Sequence, residues 1–357
     1  HSQDFYNLCD EMGFIVWAEI PFISRMSDTP DAHQNCILQM KELIYQNYNH
    51  SSICFWGISN EITIGANTPQ LLANLKDLNA LAKTLDSSRL TTMAQLSSLP
   101  MEDEQNCITD ILSYNHYFGW YTGVLEDNEK WLDTFHQSYP QRALGISEYG
   151  CEGIISYHSD TPKAGDYSEE YQALYHEHMA KIIEERPWLW ATHIWNMFDF
   201  GCDARKEGGV AGRNNKGLVT IDRQIKKDSF YLYKAYWNPE PMVHICSKRY
   251  GKRTDSAIDI KVYSNAPEIS LYVNGAFFKK EQGQRVFLFR NIPLKEGFTT
   301  STAKSAFCCD TAVFEKVSEP FSAYQFVEDA SETGVTNWFE HVDLNKEREL
   351  TFREGYY

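Results

Sequence analysis

The sequence predicts an α/β fold, a (β/α)8 TIM barrel that lacks its first two strands in this chain, followed by an immunoglobulin-like β-sandwich. Two observations predict it. From residue 1 to about 238, apolar runs alternate with amphipathic helical segments, the pattern of a parallel sheet covered by helices. Beyond that point the runs become short and alternate in polarity between turn residues, which is typical of an antiparallel sandwich.

Six strands are predicted in the first part of the chain. They cover Phe14–Ile20, Ile53–Ser59, Leu90–Ala94, Ile111–Tyr117, Ala143–Ser147 and Thr192–Phe198. A closed barrel of this class needs eight strands. Because the first strand follows a predicted helix at Phe5–Met12, we expect the first two strands to lie on the N-terminal side of this chain.

Helices are predicted between these strands. In Thr68–Leu85, leucines recur at helical spacing, Thr68 suits the N-cap and Pro69 suits the first helical position. Two further helices are predicted over His33–Asn47 and over Ser168–Arg186, the latter ended by Pro187.

The second part of the chain is predicted to contain five short strands. They cover Met242–Cys246, Ala257–Val262, Glu268–Val273, Arg285–Phe289 and Ala312–Val317. Asn274–Gly275 is a hairpin signal. The predicted organisation is therefore a partial barrel over 1–238, a sandwich over 239–317 and an acidic C-terminal tail or start of a further segment over 318–357.

Composition limits the classes of partner. The net charge of −16 argues against nucleic acid and against an anionic membrane surface, both of which need basic patches. No apolar run reaches the ~18 residues of a membrane-spanning helix. The nine cysteines, an odd number without regular spacing, slightly favour a reducing, cytoplasmic compartment. A homo-oligomer is compatible with the sequence.

Two glutamates are the main candidates for catalysis. Glu61 ends the apolar run that begins at Ile53, and Glu148 ends the run that begins at Leu144. A barrel has its active site at the carboxyl ends of its strands. Paired carboxylates there are the groups that glycosidic bond cleavage requires, although a surface or salt-bridged acid is the structural alternative for each.

Several segments, in order, resemble glycoside hydrolase family 2, which includes β-galactosidases, β-glucuronidases and β-mannosidases. They are Trp56–Glu61, Tyr114–Tyr121, Ile146–Gly150 and Ile194–Phe200. The resemblance implies a retaining mechanism in which Glu148 is the nucleophile and Glu61 is the acid/base.

The same resemblance assigns substrate contacts. It implies that Asn60 binds the sugar 2-hydroxyl, that Tyr117 hydrogen-bonds the nucleophile and that Trp195 lines the site, although core packing explains Trp195 equally well. Glu19, another acid at a strand end, is expected to line the pocket. No metal and no cofactor are expected.

The sugar specificity is predicted from residues 214–217 and from three neighbouring segments. Asn214-Asn215-Lys216-Gly217 matches an Asn-x-Lys pattern that β-glucuronidases use for the substrate carboxylate, and an ammonium beside an amide suits an anion. Similar stretches occur in β-galactosidases, and the segments 195–200, 217–223 and 226–231 look galactosidase-like. The sequence therefore favours a β-galactosidase, with a β-glucuronidase or another family 2 glycosidase as the alternative. An inactive truncated fragment or a carbohydrate-binding remnant is the alternative from a different class.

Overall fold

The computed structural model describes residues 1–27, 29–202, 209–210 and 212–326. These residues form two compact units. The first contains His1–Tyr149 and Ile183–Ile194, and the second contains Gly150–Ile182 and the described residues from Trp195 onward.

The first unit is built on a six-stranded sheet in which every neighbouring pair is parallel. Its strands are β1 (Val16–Glu19), β2 (Ile53–Asn60), β3 (Leu90–Leu96), β4 (Leu112–Asn115), β5 (Leu144–Tyr149) and β6 (Thr192–Ile194). Spatial order follows chain order, as in the wall of a (β/α) barrel. All six predicted strands are thus confirmed, with shifted ends, and the carboxyl ends of all six lie along one edge.

Four helices belong to this unit. They are α1 (Gln3–Met12), α2 (Pro30–Asn47), α3 (Pro69–Leu85) and α4 (Asp127–Ser138). The hydroxyls of Thr29 and Thr68 accept hydrogen bonds from backbone N–H groups of the first turns of α2 and α3. α4 was not predicted, because one of its three buried positions is the polar Asn128 and the apolar periodicity is therefore weak.

An apolar core fixes β1 to β3 against α2 and α3. It is made of fully buried side chains from these elements, among them Met40, Ile44, Trp56, Ile58, Leu75, Leu78 and Met93. This packing holds the ends of β1 and β2 in register, with Glu19 paired opposite Gly57.

The second unit contains most of α5 (Glu169–Glu184), all of α6 (Asp228–Trp237) and ten short strands. The strands are β7 (Phe200–Gly201), β8 (Arg213–Asn214), β9 (Val243–Ile245), β10 (Lys252–Arg253), β11 (Ala257–Ser264), β12 (Glu268–Val273), β13 (Ala276–Gln282), β14 (Arg285–Pro293), β15 (Gly297–Lys304) and β16 (Cys309–Lys316). β7 pairs with β8 as a small antiparallel ribbon.

The strands from β9 to β16 form two sheets, with the orders β10-β16-β15-β12-β13 and β14-β11-β9. Buried side chains of both sheets share one apolar core, including Val262, Leu271, Phe289 and Phe314. The arrangement is a β-sandwich within the predicted interval 239–317; its immunoglobulin-like character and the exact boundaries remain predictions. Sequence patterning missed β10, β13 and β15.

The predicted Asn-Gly hairpin is confirmed. Val273 of β12 pairs with Ala276 of β13 across Asn274 and Gly275, which both have positive φ, as a tight hairpin turn requires. Of the predicted acidic tail, a short turn at Ser322–Tyr324 is described, and residues 327–357 lie outside the described part of the chain.

Candidate active site

Glu61 lies immediately after β2 at the carboxyl edge of the sheet. Its backbone is left-handed, with φ 45° and ψ 31°, and its N–H donates to the carbonyl of Ala94 on β3 at 2.8 Å. A non-glycine residue in this region carries conformational strain of order 1–3 kcal/mol. The conformation turns the chain out of the strand and places the carboxylate at the strand end.

Asn115, the last residue of β4, contacts both residues of the Asn60–Glu61 pair. Its side-chain amide donates to Glu61 Oε1 at 3.0 Å and to Asn60 Oδ1 at 3.1 Å. Its own oxygen accepts from the Ser147 hydroxyl of β5 at 2.6 Å. A buried amide therefore connects the ends of β2, β4 and β5 and orients the Glu61 carboxylate.

Sequence reasoning missed the roles of Asn115 and Ser147. Asn115 is 1% exposed although it is polar, and it stands two residues before Tyr117 at the end of a strand. A polar side chain at a buried strand end is the signal that could have identified it, because such a group must find hydrogen-bond partners.

Tyr117 and Glu148 are in direct contact. The tyrosine hydroxyl donates to Glu148 Oε2 at 2.5 Å. Burial and then the charge of Glu148 raise the pKa of Tyr117 well above its ordinary value, so the hydroxyl keeps its proton and remains a donor. The bond fixes one carboxylate oxygen of Glu148.

Glu19, at the end of β1, lies over Gly57 of β2. Trp17 Nε1 donates to Glu19 Oε2 at 3.1 Å. Burial, followed by the negative charge of Glu148, raises the pKa of Glu19 to about 8, against the opposing effect of the Trp17 hydrogen bond. Glu19 is therefore a neutral acid at neutral pH, able to donate a hydrogen bond as well as accept one.

Trp195, Asn214 and Lys216 belong to the second unit. Asn196, joined to Trp195 by a cis peptide, pairs with the segment around Lys216: its N–H donates to the Lys216 carbonyl at 3.2 Å and its carbonyl accepts from Leu218 at 3.0 Å. The Asn214 side-chain oxygen accepts from the Lys216 N–H at 3.0 Å. Asn214 and Lys216 are almost fully buried, and Trp195 is partly exposed.

The structure therefore places the predicted residues in two groups. Glu19, Asn60, Glu61, Tyr117 and Glu148 lie at the carboxyl ends of neighbouring parallel strands of the first unit. Trp195, Asn214 and Lys216 form a second group, joined by the backbone pairing of 196–199 with 216–219.

One group of metal-ligand type occurs among the described residues: Asp228, His244 and Cys246, all buried. Both Asp228 oxygens already have partners, His244 Nε2 at 2.8 Å and the Ser247 N–H at 2.6 Å, and the Arg249 guanidinium lies 3.5 Å away. A metal cation would compete with Arg249 for the Asp228 carboxylate. We therefore interpret the group as a hydrogen-bonded cluster that stabilises the second unit. No helix in the described part of the chain could span a membrane.

Parallel strands with carboxylates at their carboxyl ends define a site of the barrel glycosidase class. A family model described as glycosyl hydrolases family 2, TIM barrel domain, matches residues 1–240. The chain belongs to glycoside hydrolase family 2.

Three known proteins illustrate the relationship. A Bacteroides fragilis β-glucuronidase is 39% identical over 307 residues, which cover 82% of this chain and 43% of that protein. The structure of an FMN-binding β-glucuronidase from Faecalibacterium prausnitzii L2-6 has 55% identity and a TM-score of 0.90, covering 92% of this chain and 51% of that one. A putative β-galactosidase structure from Bacteroides fragilis has 32% identity and a TM-score of 0.82, covering 88% and 48%. The chain thus spans about half of these relatives.

Proposed function

We propose that this chain is the catalytic part of a retaining β-glucuronidase that releases terminal glucuronic acid from β-glucuronides. The observation that carries the choice of sugar is the buried Asn214-Asn215-Lys216 segment in a chain 55% identical to a β-glucuronidase. An ammonium beside amides is suited to a sugar carboxylate. The proposed substrate is therefore a β-glucuronide, the alternative in the sequence analysis, and not the β-galactoside that the sequence favoured.

The galactosidase-like segments have structural roles that do not depend on which sugar is bound. A side chain at Gly217 would place its Cβ 1.9 Å from the Asp199 backbone nitrogen, so the close approach of 216–219 to 196–199 requires glycine. Lys227, in the segment 226–231, is completely buried and bonded to protein acceptors. Gly217 and Lys227 therefore stabilise the packing of the second unit.

The mechanism follows from the two glutamates. Glu148 attacks the anomeric carbon, while Glu61 gives a proton to the departing aglycone oxygen. The result is a glycosyl ester on Glu148. Glu61, now a carboxylate, then removes a proton from water, which attacks the same carbon and releases the sugar with retained configuration. Asn115 keeps the Glu61 carboxylate oriented through both steps.

The test compares turnover of 4-nitrophenyl β-D-glucuronide with that of the matching β-D-galactoside, using protein expressed from its complete gene. We expect the glucuronide to have the higher kcat/KM. Faster galactoside cleavage would restore the original preference, and absence of turnover of any 4-nitrophenyl glycoside by folded protein would favour an inactive or sugar-binding remnant.

The expectation that no cofactor is needed remains a prediction. Because the Faecalibacterium prausnitzii relative binds FMN, the measurement that checks it is flavin absorbance of the purified protein and turnover with and without added FMN. Glycoside hydrolysis by two carboxylates transfers no electrons, so we expect turnover to be unchanged by FMN.

A further inference from the structure

Asn215, the middle residue of the Asn-x-Lys segment, is held at its backbone N–H, its carbonyl and its side-chain nitrogen. Its backbone N–H and its side-chain amide both donate to Glu152 Oε2, at 3.2 and 3.1 Å. Its carbonyl accepts from the Gly153 N–H at 3.1 Å and from Lys227 Nζ at 2.9 Å. Asn215 occupies the variable position of the Asn-x-Lys motif, and its hydrogen bonds fix the backbone of this segment.

Glu152 contacts two of the three residues of the segment with one carboxylate. While Oε2 accepts from Asn215, Oε1 lies 3.7 Å from Lys216 Nζ. Glu152 and Lys216 are each 1% exposed. A buried charge without a partner is costly, so the carboxylate restricts where the Lys216 ammonium can lie.

Lys227 holds the same segment from its carbonyl side. Its ammonium donates to the carbonyls of Gly153 and Asn215, at 2.6 and 2.9 Å, and to Asp199 Oδ1 at 2.8 Å. Three acceptors match the three N–H donors of an ammonium. Lys227 therefore fixes the backbone of the segment, and its three N–H donors are all taken by protein acceptors.

We propose that Glu152 and Asn215 are positioning residues that set the specificity of the Asn214–Lys216 segment for a sugar carboxylate, an inference that rests on the function proposed above. Glu152 orients the Lys216 ammonium and, through Asn215, fixes the backbone between the two carboxylate-binding side chains. Displacement of a binding group by about 1 Å is enough to cost on the order of 100-fold in rate.

The experiment uses two substrates that share a leaving group. 4-Nitrophenyl β-D-glucuronide and β-D-glucoside differ only in the carboxylate that replaces a hydroxymethyl group. In Glu152→Gln, a neutral amide faces Lys216, and Asn215→Ala removes the side-chain donor to Glu152. For both variants we expect kcat/KM for the glucuronide to fall about tenfold or more, mainly through KM, and kcat/KM for the glucoside to stay within about twofold.

Asp86→Asn is the matched control. Asp86 is a fully buried carboxylate in the first unit, paired with Arg89 at 2.7 Å and far in sequence from the Asn-x-Lys segment. We expect Asp86→Asn to lower thermal stability and leave the glucuronide-to-glucoside ratio unchanged. In a Lys216→Met background, Glu152→Gln should cause no further loss of glucuronide turnover, because the residue through which it acts is gone.

The outcomes separate the two proposals. A wild-type preference for galactoside overturns the proposed function. A wild-type preference for glucuronide, combined with an unchanged ratio or an equal loss on both substrates in the two variants, overturns the positioning role and leaves the function standing. If Glu152→Gln does not fold by circular dichroism, Asn215→Ala decides alone.

Discussion

Glu148 receives a hydrogen bond from Tyr117 at 2.5 Å, and this contact leads to a prediction about covalent chemistry. Glu148→Gln keeps the shape of the side chain and removes the nucleophilic oxygen anion. We expect kcat to fall by about 10⁴-fold or more. A 2-deoxy-2-fluoro glucuronyl fluoride should label the wild-type protein at Glu148, as peptide mass spectrometry will show, and should not label the variant.

Glu61→Gln is the companion control for that labelling experiment. It retains the nucleophile, so covalent labelling by an activated fluoride should persist, while turnover of substrates with poor leaving groups should fall most. Labelling of Glu148→Gln at a different residue would refute the nucleophile assignment, and equal losses for all leaving groups would refute the acid role of Glu61.

Asn115 is the second residue on which a prediction depends. Asn115→Ala removes the donor to Glu61 and Asn60 and leaves the Ser147 hydroxyl without its acceptor. Because the loss is one of orientation, we expect kcat to fall about 10- to 100-fold while the circular dichroism spectrum is retained. Ser147→Ala should have a smaller effect, since Asn115 keeps its hydrogen bonds to Asn60 and to Glu61. An unchanged kcat in Asn115→Ala would mean that Glu61 is oriented by other contacts.

At the level of single elements, the register of β1 against β2 supports the site through a glycine. A Cβ on Gly57 would lie 2.2 Å from Trp17 Nε1 and 2.6 Å from Glu19 Oε2. Gly57→Ala therefore displaces the Trp17–Glu19 pair, and we expect a loss of about 1–3 kcal/mol in unfolding free energy together with reduced turnover. Chemical denaturation measures the first. Gly201→Ala is the control, because no atom of the described residues lies within 4 Å of its added Cβ and its φ is not left-handed.

The helices and strands also show which parts of the fold can be predicted from the sequence pattern. The continuous apolar runs of β1 to β5 mark buried parallel strands, and their ends located Glu61 and Glu148. The last run misled the prediction: Thr192–Phe198 was predicted as one strand, but β6 ends at Ile194, and residues 196–199 pair with 216–219. An apolar run records burial and does not record which distant segment its backbone will pair with.

Two further misses have local causes. α6 contains Phe230, Tyr231, Tyr233 and Trp237, residues with little preference for helix, and it is helical because its tertiary contacts bury Leu232 and Tyr233. Asn115 escaped notice because its importance lies in partners 54 and 32 residues away, Glu61 and Ser147. The two carboxylates could be predicted from local pattern, whereas the amide that orients Glu61 finds its partners only when the sheet forms.

At the scale of the whole molecule, the buried Glu19 carboxyl makes the stability of the protein depend on pH. An ordinary glutamate has a pKa of 4.5, and the pKa of Glu19 is about 8 in the folded state. Between these values the folded protein holds a proton that the unfolded chain has lost. Stability therefore falls as pH rises from about 4.5 to 8, and the contribution is complete below 4.5 and lost above 8.

Glu19→Gln should remove this contribution to the pH dependence of stability, because a neutral amide has no proton to lose in this pH range. We expect the decline in Tm between pH 5 and pH 9 to be shallower in the variant than in the wild type, measured by scanning calorimetry in buffers of equal ionic strength. Glu102→Gln, at an exposed glutamate, is the control and should preserve the wild-type slope. Parallel Tm curves for wild type and Glu19→Gln would show that Glu19 is ionised throughout this range, and it would then act in the pocket as a hydrogen-bond acceptor alone.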